Sequence, residues 1–302
     1  MTTGTILDKI LEAKRVELAR HKLETPLTEL EGRIREAPFP LNLSGTMWGD
    51  RVRLIGEVKK ASPSKGLLSA RYQPAEIAAK YAANGAAAIS VLTEADYFQG
   101  SLADLAAVKC AVSSAGLPTL RKDILFDPYH LYEARACGAD AALLIVAALG
   151  PGQLREMLAV AQSIWLQCLV EVHDEKELEL ALNVGAEIIG VNHRNLKTFE
   201  VDTSLSLRLM PLIPAGHIVI AESGIASAED VVPLKRAGIH GILVGEALMT
   251  ADDVGAKVSE VHAHPWPWHE LGQIDDADSF KRLRHGVTPY LGWPDPIRLP
   301  GP

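Results

Sequence analysis

Glu57 and Lys59 stand two residues apart at the end of a short apolar run, residues 54–59, reading LIGEVK. Side chains alternate faces along a β-strand, so Ile55, Glu57 and Lys59 share one side while Leu54, Gly56 and Val58 take the other. Charges on a strand that is apolar on both faces are costly unless paired or used, because an unpaired buried ion costs on the order of several kcal/mol. An ion pair between the two is the structural reading. Acid–base work at the rim of a site is the chemical one. Residues 61–66, ASPSKG, favour the rim: the strand breaks into a loop of hydroxyls and cations that includes Ser62. A lysine in such a place serves as a proton donor or as a Schiff-base nucleophile, and Lys59 and Lys122 are the candidates.

These residues need a scaffold that brings distant strand ends together. From residue 51 onward, strand-like and helix-like patterns alternate, with predicted strands at 54–60, 87–93, 118–122, 141–146, 166–172, 187–192, 217–222 and 241–245. Six joints carry a glycine that closes a helix just before a strand: Gly85, Gly116, Gly138, Gly185, Gly216 and Gly238. They pair at an offset of 100 residues, which reads as two similar halves. Strands alternating with helices form a parallel sheet, and eight of them close most naturally into a (β/α)8 TIM barrel. Near-continuous apolar strands such as 141–146, AALLIV, agree, because parallel strands are covered on both faces. An open doubly wound sheet is the competing architecture, but no G-x-G-x-x-G follows the first strand. The expected organisation is an N-terminal helical extension over 1–50, the barrel over 51–260 and an irregular Pro/Trp-rich C-terminal tail over 261–302.

Active sites of such barrels lie at the C-terminal ends of the strands. Polar residues collect there. The ends carry Glu57 and Lys59, Thr93 and Glu94, Arg121-Lys122-Asp123, Glu171-Val172-His173, Asn192-His193-Arg194-Asn195, Glu222-Ser223-Gly224 and Gly245-Glu246; only the fourth strand lacks a charge. Loops after the last two strands of these barrels commonly hold phosphate on glycine amides and a helix N-terminus, which points to Ser223, Gly224, Gly245 and Glu246. Lys59 supplies a countercharge once the barrel closes. The residues alone therefore predict an enzyme acting on a small phosphorylated molecule.

Composition agrees with that class. The 302-residue chain is 48% apolar and 23% charged, in the range of globular enzymes. A net charge of −8 argues against nucleic-acid binding, which needs a concentrated basic face. Cys110, Cys137 and Cys168 are odd in number, widely spaced and set among apolar neighbours, so reduced, buried thiols in a cytoplasmic protein are expected. Residues 1–22 read as an amphipathic helix, with charges interrupting Ile6, Leu7, Ile10 and Leu11 where a signal peptide needs an unbroken apolar core. No apolar run reaches the roughly 18 residues of a membrane span.

Specific stretches carry a family resemblance: EVKKASPSKG at 57–66, SVLTE at 90–94, DYFQGS at 96–101, LRKD at 120–123, LVEVH at 169–173, NL at 195–196 and AESGI at 221–225. Across about residues 3–260 the chain resembles the indole-3-glycerol phosphate synthase family of tryptophan biosynthesis. The resemblance implies decarboxylating ring closure of 1-(2-carboxyphenylamino)-1-deoxyribulose 5-phosphate to indole-3-glycerol phosphate, carbon dioxide and water. It implies Lys122 as general acid and Glu171 in acid–base steps that include dehydration. Glu57, Asn192 and Ser223 would position substrate hydroxyls and the anthranilate carboxylate, Glu222 would hold the lysines charged, and Lys59 would contact phosphate or carboxylate. Ser62 and Phe98 join the substrate-binding set. No metal or organic cofactor is implied, and the only partner is a small phosphorylated substrate, with the chain a monomer or weak homodimer.

Two positions depart from the family pattern. Ile124 stands where an aromatic residue is usual, leaving Phe98 as the ring contact, and His193 replaces a usual asparagine. Past His262 nothing resembles the family. Trp266, Trp268 and Trp293 lie among Pro265, Pro267, Pro289, Pro294, Pro296 and Pro300, and His262, His264 and His269 are too loosely spaced to argue for a metal site over a tail laid on a surface. Two rival readings are a sugar-phosphate isomerase on a similar barrel and a non-catalytic metabolite-binding barrel. Phosphoribosylanthranilate isomerases use a cysteine base at the end of the first strand, where this chain has Glu57 and Lys59, and a binding role would not require Lys59, Lys122 and Glu171 together.

Overall fold

In the computed structural model, residues 5–69 and 71–262 are described. Eight parallel strands close into a barrel in the order β1 (Arg53–Val58), β10 (Gly241–Val244), β9 (Ile218–Glu222), β8 (Ile188–Asn192), β7 (Gln167–Val172), β6 (Ala141–Ile145), β5 (Thr119–Lys122) and β4 (Ala88–Leu92). These are the eight predicted strands. β2 (Ala61–Ser62) and β3 (Gly66–Leu67) form a small antiparallel hairpin in the loop after β1. The open-sheet alternative fails because β1 pairs with both β4 and β10, matching Ile55 with Ala88 on one side and with Leu243 on the other.

Period-2 alternation sorts the barrel side chains into two cores. Ile55, Leu120, Leu143, Leu169, Ile188, Ile220 and Leu243 fill the interior, while Leu54, Val58, Val91, Leu144, Val170 and Val244 pack outward against the helices. All six joint glycines have positive φ, between 66° and 101°; five of them close a helix in the left-handed turn, while Gly216 lies in a separate turn past the helical turn Met210–Leu212, a correction to its expected place.

The N-terminal helical extension is three helices: α1 (Ile6–Glu24), α2 (Leu27–Glu36) and α3 (Leu43–Met47). Thr5 and Asp8 cap α1 reciprocally. Leu43 and Met47 of α3 and Ile10 of α1 all join the interior core. Met47 enters at the N-terminal end, where a Cβ on Gly241 would stand 2.9 Å from its sulfur.

The remaining helices alternate with the strands: α4 (Pro74–Ala83), α5 (Leu102–Val112), α6 (Pro128–Ala136), α7 (Pro151–Ser163), α8 (Glu175–Asn183), α9 (Leu205–Leu209), α10 (Ala228–Arg236), α11 (Glu246–Met249) and α12 (Val254–His262). The expectation of three buried thiols needs correction. Cys168 is buried, Cys137 is half-buried and Cys110 is exposed. Buried positions on α5 are Leu105, Val108 and Val112, and the helical period turns residue 110 to the opposite face. The expectations for the tail, including its tryptophans and the His264 and His269 side chains, lie outside the described residues.

Candidate active site

At the C-terminal ends of the strands lies a cavity of about 750 Å³. All twelve predicted site residues line it: Glu57, Lys59, Ser62, Phe98, Lys122, Glu171, Asn192, Glu222, Ser223, Gly224, Gly245 and Glu246. They come from seven separate segments, and the strands place them by pointing the last inward residue of each into one space.

β1 is held from behind. A Cβ on Gly56 would stand 2.5 Å from the ring of Tyr81, so only glycine lets that ring pack under the strand. The Tyr81 hydroxyl then donates to the Glu57 carbonyl at 3.2 Å. On the inward face, Glu57 and Lys59 form an ion pair at 2.7 Å. The structural reading of this pair and its place on the rim are thus both met. Two other glycines clear space for carboxylates: a Cβ on Gly245 would strike the Glu57 carboxylate, and one on Gly190 the Glu222 carboxylate.

Lys122 is the centre of charge. Its ammonium lies 3.0 Å from Glu171 and 2.7 Å from Glu222. Burial pushes the Lys122 pKa down, but Glu171, Glu222 and Glu57 outweigh it and hold the amine well above its ordinary value. The lysine is a cation and not a free amine, which argues against the Schiff-base chemistry open to it on residue type alone. Its two carboxylates differ. Burial raises Glu171, but Lys122 and His173 pull it well below the carboxylate range. Glu222 is raised to about 7 by burial and the neighbouring Glu171 charge, only partly offset by Lys122. One Glu222 oxygen, Oε1, is buried with no hydrogen-bond partner.

Ser223 donates to Asn192 Oδ1 at 2.8 Å, and that oxygen also accepts the Arg194 backbone N–H at 3.0 Å. Ser223 and Gly224 are both left-handed, with φ of 69° and 73°, and a Cβ on Gly224 would strike Val201. The Glu246 carboxylate faces Lys65 at 3.5 Å and Arg194 at 3.7 Å. Glu246's own side chain is thus turned to cations, and Gly224 and Gly245 line the cavity beside it.

Ile124 is buried and lines the cavity beside Phe98, so the apolar wall is kept without an aromatic at 124. His193 does not line the cavity. Its Nδ1 donates to the Ser223 carbonyl at 2.9 Å and its Nε2 accepts from Ser206 at 2.7 Å, and burial lowers its pKa, so it is a neutral strut.

Sequence reading missed two contributors. Ile6, Leu7 and Ile10 of α1 form part of the cavity wall, and only tertiary packing brings them there. Glu94 is buried and accepts the backbone N–H groups of Asp96, Tyr97 and Phe98 at 3.1, 2.7 and 3.0 Å, fixing the loop that carries Phe98. Its carboxylate at a strand end was the available signal.

Comparison with known proteins bears on what the cavity acts upon. The family model for indole-3-glycerol phosphate synthase matches residues 7–261. A relative of that name from Dehalococcoides mccartyi (strain CBDB1) is 46% identical over 257 residues, spanning 85% of this chain and 99% of its own. One from Roseiflexus sp. (strain RS-1) is 47% identical over 263 residues, spanning 85% and 98%. Among solved structures, a thiamine phosphate pyrophosphorylase from Pyrococcus furiosus aligns with a TM-score of 0.55 at 17% identity, covering 74% of this chain and 96% of that one. A 3-hexulose-6-phosphate synthase aligns at 0.53 and 15%, covering 70% and 99%; at such identity these two speak to the barrel alone. By its profile, its relatives and its fold, the chain belongs to the indole-3-glycerol phosphate synthase family.

Proposed function

We propose that the chain is a carboxy-lyase that closes the indole ring of 1-(2-carboxyphenylamino)-1-deoxyribulose 5-phosphate, releasing carbon dioxide and water. The observation that carries this reading is Lys122, a half-buried cation held at 3.0 and 2.7 Å by two carboxylates and facing a cavity that is apolar on one side. The ring carbon bearing the carboxylate attacks the ribulose carbonyl, and Lys122 delivers a proton to that oxygen as the carbon–carbon bond forms. The bond to the carboxylate then breaks, its electron pair neutralising the iminium as carbon dioxide leaves. In the last step Lys122, recharged from solvent, protonates the new hydroxyl, which departs as water while Glu171 removes the proton from the adjacent carbon and passes it to solvent; one proton is consumed overall. Charge on Lys122 matters throughout, because an ammonium fixed before the reaction stabilises the developing alkoxide without reorganising.

Glu57 and Asn192 with Ser223 orient the hydroxyls and the carboxylate. Lys59 and the amides around Gly224 and Gly245 receive the phosphate, and Phe98, Ile124 and the α1 side chains cover the aromatic ring. This assignment carries with it a cytoplasmic compartment and no resident cofactor. Indole fluorescence on mixing the purified chain with substrate tests it, with Lys122→Ala as the paired control. Product from the native chain and its collapse in the variant are expected; substrate binding without product would sink the reading in favour of a binding protein.

A further inference from the structure

His173 follows directly on β7, in the row behind the cavity. Its ring is largely buried. Nε2 lies 3.2 Å from Oε1 of Glu171, and Nδ1 lies 3.0 Å from Oε2 of Glu177. The same Glu177 oxygen accepts the His173 backbone N–H at 2.8 Å. Glu177 sits in the first turn of α8, where its own N–H donates to the N-cap Asp174 at 2.8 Å. A neutral imidazole offers one donor and one acceptor, and an acceptor nitrogen facing a carboxylate is repelled. Both ring nitrogens face carboxylates, so both carry protons. The Nε2–H is not aligned on a hydrogen-bond acceptor, so its hold on Glu171 is electrostatic.

Other groups facing Glu171 are Lys122 from β5, Glu222 from β9 and the Asn192 amide from β8. Glu171 thus lies between two cations, Lys122 on Oε2 and His173 on Oε1. Glu222 shares the same lysine, has no second ion pair among the described residues, and leaves Oε1 unpartnered. Burial pushes the His173 pKa down, but Glu171 and Glu177 together raise it to about 10, in keeping with the geometry.

We propose that His173 is a positioning residue: a buried imidazolium that fixes the Glu171 carboxylate against Lys122 and holds it ionised, so that Glu171, and not Glu222, is the resident base. The inference rests on the acid–base role given to Glu171 above. It makes the asymmetry between two carboxylates on one lysine the work of a third group that never meets substrate.

Two measurements on the full chain decide it. Imidazole NMR of histidine-labelled protein reads the His173 protonation state directly, with the signal assigned by its loss in His173→Gln and its shift in Glu177→Gln. Double protonation persisting through pH 8 is expected; titration at or below the ordinary value of about 6.5 overturns the proposal. Steady-state pH profiles of His173→Gln and His173→Ala form the second arm. The expected result is kcat lower by about 10- to 100-fold, KM within about twofold, and the acid limb of kcat moved up by about one pH unit. Acid limbs superimposable on the wild type in both variants overturn the proposal, whatever happens to thermal stability. Failure of the wild type to turn over would instead refute the proposed reaction, while the His173 protonation state read by NMR would still decide whether the imidazolium exists.

Discussion

Arg121, Lys122 and Asp123 are consecutive, yet they belong to two ionic networks that behave in opposite ways. Arg121 and Asp123 join a cluster in which every Arg121 nitrogen has an acceptor, with Arg121 off the cavity and Asp123 at the edge of its wall. Arg121 donates to Thr93 at 3.0 Å, to the His130 carbonyl at 3.0 Å, to Glu133 at 2.8 Å and to Asp123 at 3.1 Å. Asp123 also takes Lys14 of α1 at 2.9 Å and Thr93 at 2.7 Å, and Glu133 reaches back to His21 of α1 at 2.7 Å. The burial of Asp123 is answered by Lys14 and Arg121, so its carboxyl is held far below the carboxylate range. Lys122 points the other way, into a network with an unpartnered carboxylate oxygen and a glutamate raised to about 7.

The difference separates structure from chemistry. Saturated pairs pin α1 to the barrel and have nothing left to give a ligand, whereas crowded carboxylates around one lysine keep an unmet demand that a substrate can meet. Perturbed groups gather where function needs them, and the saturated neighbour shows that burial of charge alone is not the signal. The two networks are joined through adjacent backbone, so α1, by anchoring Asp123, also steadies Lys122.

Substitutions should separate the two. Lys122→Ala is expected to cost about 10³-fold or more in kcat, measured by indole fluorescence, while the far-ultraviolet circular dichroism stays native. Asp123→Ala removes the carboxylate that Arg121 and Lys14 share, leaving them to Glu133 and Glu17, and should lower unfolding free energy by about 3 kcal/mol in a urea melt. A loss of activity in Asp123→Ala with no loss of stability would erase the distinction between the networks.

Gly190→Ala drives a methyl into the space of the Glu222 carboxylate. A drop in kcat of about tenfold or more is expected, because misplacing a group beside the reacting centre has costs of this order. Glu222 also sets a pH effect on stability. Its folded pKa of about 7 lies above the ordinary 4.5, so the native state binds the extra proton between those values. Its contribution is fully present below pH 4.5 and lost as pH rises through 7. Glu222→Gln should therefore gain in Tm relative to wild type between pH 5 and pH 8, read by calorimetry; a gap constant with pH would mean Glu222 does not titrate there. The smallest effect belongs to Glu246→Gln. Its ion pairs with Lys65 and Arg194 are long and partly exposed, worth about 1 kcal/mol or less. Removing a negative charge beside the phosphate amides should lower KM by about two- to threefold, and a rise would point to an ordering role for those pairs.

Much of this was legible along the chain. Period-2 alternation put Glu57 and Lys59 on one face with Ile55, and the structure keeps that assignment: Ile55 fills the barrel while its two polar neighbours face the cavity. Five of the six joint glycines marked the helix ends they were read to mark and Gly216 marked a turn instead; all six are left-handed, because a positive φ is a local demand that residue type alone answers. Strand ends of a closed parallel barrel converge, so knowing the strands was enough to expect Glu57, Lys122, Glu171, Asn192 and Glu222 around one cavity, whereas Ser62 and Phe98, both in loops, came from the family resemblance.

What the sequence left open were matters of partner and direction. Nothing local tells that Lys14, on a helix read as amphipathic, passes into the barrel to meet Asp123 across 109 residues of chain. Nor does it tell that Glu171 and Glu222, both ending apolar strands, take opposite pKa shifts, since that depends on whether a second cation such as His173 lies within a few ångströms. Alternation, glycine conformation and strand termini are properties of neighbouring residues, and the chain by itself determined them. Pairing of buried charges depends on distances between segments far apart in sequence, with Coulomb energies that change steeply over a few ångströms in a low-dielectric interior, so only the closed barrel decided it.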